Sequence, residues 1–290
     1  MTNPTGLDVF AQPERPGLVY DLDERTYHGS KNSLSASSAK VLLGKRPPTS
    51  QDALSFGTLA HAVLLEPEKA QRAYAVLDPN EIGVKADGSP ASNPTATSAW
   101  KQAVAKTEAA GKLVVSPADW KRAHDMADAV RGHKAAAEIL AACPQREVSA
   151  YAEIEPGVMI RGRFDLLGDG LIADYKTCQD ADPDRFGRTA HDYGYNISAA
   201  VYLLLAELLG LNVDTFKFIN VEKERTPGGN YRVSVVQLDD LYIAKGLRDF
   251  KEAVRRWVAL GKVVDLPNYP DEAVIVGMPA YLLDDEMELV

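Results

Sequence analysis

Residues 158–177 read VMIRGRFDLLGDGLIADYKT. Val158, Ile160, Gly162 and Phe164 alternate with their neighbours across two faces, the period of a strand. Gly168-Asp169-Gly170 is a tight-turn signal, and the run from Leu171 to Thr177 reads as the returning strand. In a strand, residues i and i+2 share a face. Asp174 and Lys176 therefore point one way and Tyr175 the other. Positions 165 and 174 are nearly symmetric about the turn, so pairing brings Asp165 close to Asp174. Two carboxylates and one ammonium converge on one spot.

Two carboxylates that close repel unless a positive charge lies between them. Lys176 supplies one such charge. A divalent cation supplies two and suits hard oxygen ligands. The set fits phosphodiester cleavage: a metal acidifies a bound water and neutralises phosphate charge, and a lysine orients that water or stabilises the developing phosphorane. Asp174-Tyr175-Lys176 alone also reads as a salt-bridged surface hairpin.

Outward from the hairpin, Glu147 to Ile154 alternates as a preceding strand. Residues 195–209 form an apolar helix with Gly210 suited to its C-terminal cap. Strands at 214–222 and 230–237 flank Pro227-Gly228-Gly229-Asn230, and a long helix covers 239–260. Upstream, Ser35 reads as the N-cap of a helix through Leu43. Pro47 and Pro48 interrupt, a helix from Ala53 to Leu65 is closed by Pro67, and 78–95 is a loop rich in Gly, Pro, Ser, Asn and Asp. Helices follow at 97–110, 117–131 and 133–142, the second opened by Ser116-Pro117 with Asp119 as a capping-box acid. The first residues read as an irregular arm with an extended piece at Gly17 to Tyr20, and the last as an acidic tail. The expectation is an α/β (α+β) core with an antiparallel meander, preceded by a helical region.

The chain has 290 residues, enough for one large domain or two modest ones. Its net charge of −9 argues against a general nucleic-acid coating protein, which is normally basic. It leaves room for a local basic groove, and Lys40, Lys45 and Arg46 form one cluster that could grip phosphate or be an ordinary basic patch. Arg161 and Arg163 could likewise hold phosphate or belong to a solvated sheet face. Cys143 and Cys178 imply no disulfide framework and are too few for an iron–sulfur cluster. No signal-peptide pattern and no bilayer-length apolar run occurs, so an intracellular location is expected. His28, His124, His133 and His191 lack zinc-site spacing. No G-x-x-x-x-G-K-[ST] loop occurs, so ATP hydrolysis is not expected.

The ordered motifs resemble the PD-(D/E)xK nuclease superfamily, and in detail its RecE-type (exonuclease VIII-like) exodeoxyribonucleases. The resemblance is carried by Leu34-Ser35-Ala36-Ser37, by the run from Ser55 to Pro67 with its embedded His61, by Glu147 followed by Arg161-Gly162-Arg163-Phe164-Asp165, and by the run from Ile172 to Thr177. It spans residues 26 to 222. It implies a restriction-endonuclease-like core, a central mixed sheet flanked by helices. The implied organisation is an arm over 1–30, a single nuclease domain over 31–265 (helical part 31–145, catalytic core 146–265) and a tail over 266–290.

The resemblance also implies roles. His61, Asp165 and Asp174 would ligate Mg2+, which Mn2+ can replace, with the Tyr175 carbonyl as another ligand. Lys176 would serve the nucleophilic water. Glu147 would be a further acid, although Glu153 and Glu155 are rivals in the same strand. Without the resemblance, His61 reads as an ordinary histidine of an apolar helix. Such enzymes digest one strand of duplex DNA from its 5′ end as homo-oligomeric rings, alongside single-strand annealing proteins in phage or prophage recombination within the bacterial cytoplasm. Where the family carries glutamine followed four residues later by tyrosine, this chain has Ser198 and Tyr202. Ser198 is shorter than glutamine. A DNA-binding accessory protein with weak or no catalysis, or an endonuclease such as a junction resolvase, are the competing readings.

Overall fold

A computed structural model describes residues 15–45, 51–85, 87–264 and 271–277. In chain order, β1 (Gly17–Val19), α1 (Glu24–His28), β2 (Ser33–Ser35) and α2 (Ala36–Leu42) come first. A mainly helical stretch follows: α3 (Gln51–Leu65), α4 (Pro67–Ala73), β3 (Tyr74–Val76), α5 (Pro79–Ile82), α6 (Ser98–Ala109), β4 (Leu113–Val115), α7 (Pro117–Gly132) and α8 (Lys134–Ala142). The remainder is β5 (Gln145–Glu155), β6 (Val158–Leu167), β7 (Gly170–Cys178), α9 (Pro183–Asp192), α10 (Tyr195–Leu208), β8 (Val213–Arg225), β9 (Tyr231–Val236) and α11 (Asp240–Ala259).

β5, β6 and β7 form the expected antiparallel meander. The connection through α9 and α10 brings β8 back parallel to β7, and β9 returns antiparallel. The sheet order is β1-β5-β6-β7-β8-β9, with β2 set against β6. It is a mixed sheet with helices on both faces. On one face α2, α9, α10 and α11 bury Ile160, Phe164, Ile172 and Phe218. On the other, α3, α7 and α8 bury Leu166, Ala173, Tyr175 and Ile219.

Local chemistry sets the element ends. The Ser35 hydroxyl accepts from the Ser38 N–H at 3.2 Å and starts α2. Ser116 accepts from the Asp119 N–H at 3.0 Å and donates to the Asp119 carboxylate at 2.8 Å, one half of a capping box. Gly210 ends α10 at φ +65°, a conformation that costs a glycine little. Pro67 does more than close α3. It occupies the first turn of α4, where the missing N–H has no helical partner to lose.

Other elements were not anticipated. β2, β3 and β4 are three residues each, too short to show a period. Helix α9 carries only Phe186 and Ala190 as buried residues around Gly187. Its visible signal was the Asp182-Pro183 start. The extended piece near Gly17 pairs with Ser149–Tyr151 as a sheet strand. Arg46, Pro47, Pro48 and most of the acidic tail lie outside the described residues.

The sheet has one break that matters. β6 and β7 pair only at Leu166–Ala173 and Leu167–Ile172, next to the turn. Beyond that point they diverge, and β2 pairs parallel to β6 at residues 159–161. Since β5 holds the other edge of β6, β2 enters the fork left by β7. Asp165 and Asp174 are the first residues past the last pair.

Helices α10 and α11 cross closely at Gly246. A methyl group there would lie 2.1 Å from the Asn196 carbonyl oxygen. Gly246→Ala should therefore push the helices apart and lower unfolding stability by about 1–3 kcal/mol, read from urea denaturation. Gly132→Ala, in open space, should change it by no more than about 0.5 kcal/mol. Equal stability of the two variants would show that the crossing tolerates a side chain.

Candidate metal centre

β5 and β6 keep one register on either side of Glu147: Arg146 faces Leu166, and Val148 faces Phe164. Glu147 and Asp165 stand opposite each other between those pairs. Glu147 has φ +49°, a left-handed conformation that a residue with a Cβ adopts at a cost. The alternation of β6 also slips here. Phe164 and Leu166 are two apart yet bury on opposite faces of the sheet. The strained position thus coincides with the candidate site, a pairing that recurs where backbone strain is stored.

Helix α3 brings His61 to this point. Its neighbours Leu59, Ala60, Val63 and Leu64 are buried and hold the helix on the sheet. The His61 Nδ1 lies 3.6 Å from Asp165 Oδ2 and 3.7 Å from Glu147 Oε1. Its ring packs on Tyr175 at 5.0 Å. Donor atoms from His61, Glu147 and Asp165 all lie within 4.8 Å of one another. The imidazole is 27% exposed, so the cluster can be reached from solvent. Glu153 and Glu155 are exposed and remote from it; Glu153 accepts from the Gly157 N–H of the β5–β6 turn.

Asp165 Oδ2 accepts the Tyr175 N–H at 2.8 Å. Asp174 and Lys176 share a face, as expected, and form an ion pair. Burial first, and then the charge of Asp174, raise the Asp165 carboxyl well above the usual range. Burial by itself would lower the Lys176 and His61 values. Asp174 and Asp165 outweigh it at Lys176, and Asp165 and Glu147 outweigh it at His61, so both are raised. Lys176 is fully protonated at neutral pH. Three acids face one lysine and one imidazole, and Asp165 is driven toward its neutral form. The carboxylates of Asp165 and Glu147 and the His61 nitrogen suit a divalent cation; Asp174 stands outside that cluster, paired with Lys176.

Helix α10 lies over Asp174 and Lys176. Ser198 Oγ accepts from Lys40 Nζ at 2.8 Å. The Tyr195 ring lies 5.6 Å from the Lys40 ammonium and 5.7 Å from that of Lys176. The Tyr202 ring is committed to packing, against Phe164 at 5.3 Å and Phe216 at 5.8 Å, over Gly162. Arg161, buried, and Arg163, half-buried, turn toward the N-terminal segment. Arg161 donates to Ser33, Arg163 donates to Leu22 O and Ser149 Oγ, and both guanidiniums lie over Tyr27. They fasten the N-terminal segment to β6. Lys40 is a site neighbour whose cluster the sequence left open between a phosphate grip and an ordinary basic patch. Its partner is 158 positions away, and no local pattern signals that.

The family of the PDDEXK-like domain of unknown function matches residues 31–276. The chain belongs to this family. The PDDEXK-like fold agrees with the first of two similar crystal structures. A candidate exonuclease from Eubacterium rectale shares 14% identity, over 84% of this chain and 89% of that one, at a TM-score of 0.54. LHK-Exo in complex with dAMP shares 12% identity over 79% and 89%, at a TM-score of 0.31. No curated protein matches the chain. Among the described residues of this PDDEXK-like protein, no helix is long and apolar enough to cross a membrane.

Unfolded aspartate ionises near pH ~3.9. In the folded protein Asp165 ionises higher. Between the two values the folded state keeps a proton that the unfolded state has lost, so this group's contribution to stability falls as pH rises through that window. In metal-free buffer, Asp165→Asn should gain Tm relative to wild type between pH 5 and pH 8. At a hundredfold excess over its Kd, Mn2+ should raise the wild-type Tm by about 5 °C at pH 8, and by less at pH 5.5, where protons compete at Asp165 and His61. A metal response in Asp165→Asn equal to wild type would remove Asp165 from the ligand set.

Proposed function

We propose that this protein is a divalent-metal-dependent deoxyribonuclease that digests one strand of linear duplex DNA, running 5′ to 3′. The observation that carries this reading is the convergence of His61, Glu147 and Asp165 with the Asp174–Lys176 ion pair at one fork in the sheet. His61, Asp165, Asp174 and the Tyr175 carbonyl would hold the metal. When bound, Mg2+ or Mn2+ supplies Lewis acidity toward phosphate oxygen and a more acidic water.

The chain's own groups do the rest. Glu147, 3.7 Å from His61 Nδ1, would orient the imidazole toward the metal. Lys176 carries a full positive charge, so it orients the attacking water by donation and offsets charge on the phosphorane. The imidazole–tyrosine contact between His61 and Tyr175 fixes the ring plane. Membership of a PD-(D/E)xK-type family and the exonuclease-like fold support the substrate class. The finer reading follows the resemblance: a homo-oligomeric ring threaded on DNA, producing single strand for an annealing protein in phage-type recombination. A ring that encircles its substrate needs less affinity per subunit, which accommodates a net charge of −9.

Digestion of 5′- and 3′-labelled linear duplex tests the proposal. Activity should require Mg2+ or Mn2+ and stop with EDTA. Lys176→Ala and Asp174→Ala should each lose activity by about 100-fold or more, the scale of an electrostatic catalytic group, with Tm preserved. The 5′ label should leave first, and closed circles should stay intact. Near-wild-type activity in either variant removes the assignment. Cutting of closed circles makes the protein an endonuclease.

A further inference from the structure

We infer that Lys40 is a second DNA-binding lysine of this site, holding a phosphate that neighbours the one under attack. The inference rests on the nuclease reading above. Strand β2 enters the β6–β7 fork, and its last residue, Ser35, caps α2. Ala36, Ala39 and Leu42 are buried and fix the rotation of α2. Lys40 thereby reaches α10, where its ammonium sits between Ser198 Oγ and the Tyr195 ring. The same ring also meets the Lys176 ammonium, so the two cations share one aromatic floor.

Lys40 has a hydrogen bond but no counter-ion. Among the described residues no carboxylate lies within 4 Å of its Nζ or of the Lys45 Nζ, and Asp174 is already engaged by Lys176. Lys45 donates to the His191 carbonyl at 2.7 Å. The stems of both lysines lie on Gly194, where an added Cβ would come within 3.2 Å of each. Burial and the charges of Lys176 and Lys45 pull the Lys40 value down to about 7, against the opposing charge of Asp174. A cation held among cations, beside the centre where phosphate must dock, is poised for an anion. A phosphodiester oxygen supplies that charge and leaves the hydrogen bond to Ser198 in place.

The simpler role for Lys40 is a pin between α2 and α10. Salt dependence separates the two roles. For duplex DNA, each neutralised phosphate adds about 0.9 to the slope of log K against log salt. Binding of a labelled linear duplex to the full chain is measured by anisotropy, with Ca2+ replacing Mg2+. Lys40→Met should weaken binding and reduce the slope by about 1. Lys40→Arg and Ser198→Ala, which keep a cation, should retain the slope, as should Lys101→Met on exposed α6. In Mg2+, Lys40→Met should raise KM more than it lowers kcat. If Lys40→Met is poorly folded, Lys40→Gln should show the same loss of slope. An unchanged slope in the folded Met or Gln variant overturns the Lys40 inference and leaves the nuclease reading standing. Failure of the wild type to bind or cut DNA overturns both.

Discussion

The candidate site depends on one hydrogen bond in place of a strand pair. Where β6 and β7 would continue their ladder, the Asp165 carboxylate takes the Tyr175 N–H instead. That substitution lets the strands part while leaving the buried donor satisfied, which a bare split would not do. The parting exposes the interior of the sheet to both helical layers at once. His61 and Tyr175 approach from the α3 side, and Lys176, Tyr195 and Lys40 from the α10 side. It also opens the slot that β2 occupies. The course of α2, and so the position of Lys40, follows from it.

The same fork concentrates charge that the fold would be more stable without. A strained backbone at Glu147, a carboxyl forced upward at Asp165 and, at Lys40, a lysine with no carboxylate within 4 Å among the described residues all border the fork. Each has a local cost. Large apolar side chains on both faces offset it, among them Trp257, Phe164 and Phe218 on one side and Met126 and Tyr175 on the other. Arg161 and Arg163 serve the same end. They clamp the N-terminal segment through Tyr27 and keep the far end of β6 rigid. The cations around the fork thus fall into two groups, those that fasten the N-terminal segment to β6 and those left near the carboxylates.

Much of the architecture was readable from local pattern. The hairpin was given by period-two alternation around a Gly-Asp-Gly turn. α2 and α7 were announced by serine caps and α10 by its glycine stop. These signals are local because the hydrogen bonds behind them span three or four residues. The elements that escaped are short or poor in apolar residues and persist through tertiary contact: β2, β3, β4 and α9, with α1 in the expected arm and α5 in the expected 78–95 loop. Pro67 escaped for a different reason: the same residue ends one helix and can begin the next.

The sequence by itself determined that Asp174 and Lys176 share a face and that Asp165 lies across the turn from them, because the strand period and the hairpin register are properties of the chain. His61 and Glu147 were singled out by the resemblance that the motif order carries, not by their local pattern. Only the tertiary structure decided that the ladder stops at Asp165, that Glu147 rather than Glu153 or Glu155 turns inward, that Arg161 and Arg163 are structural, and that Lys40 meets Ser198. Those outcomes turn on contacts between segments tens to more than a hundred residues apart. Which of several similar side chains occupies a buried position there is settled by packing and desolvation, and neither leaves a trace in local spacing.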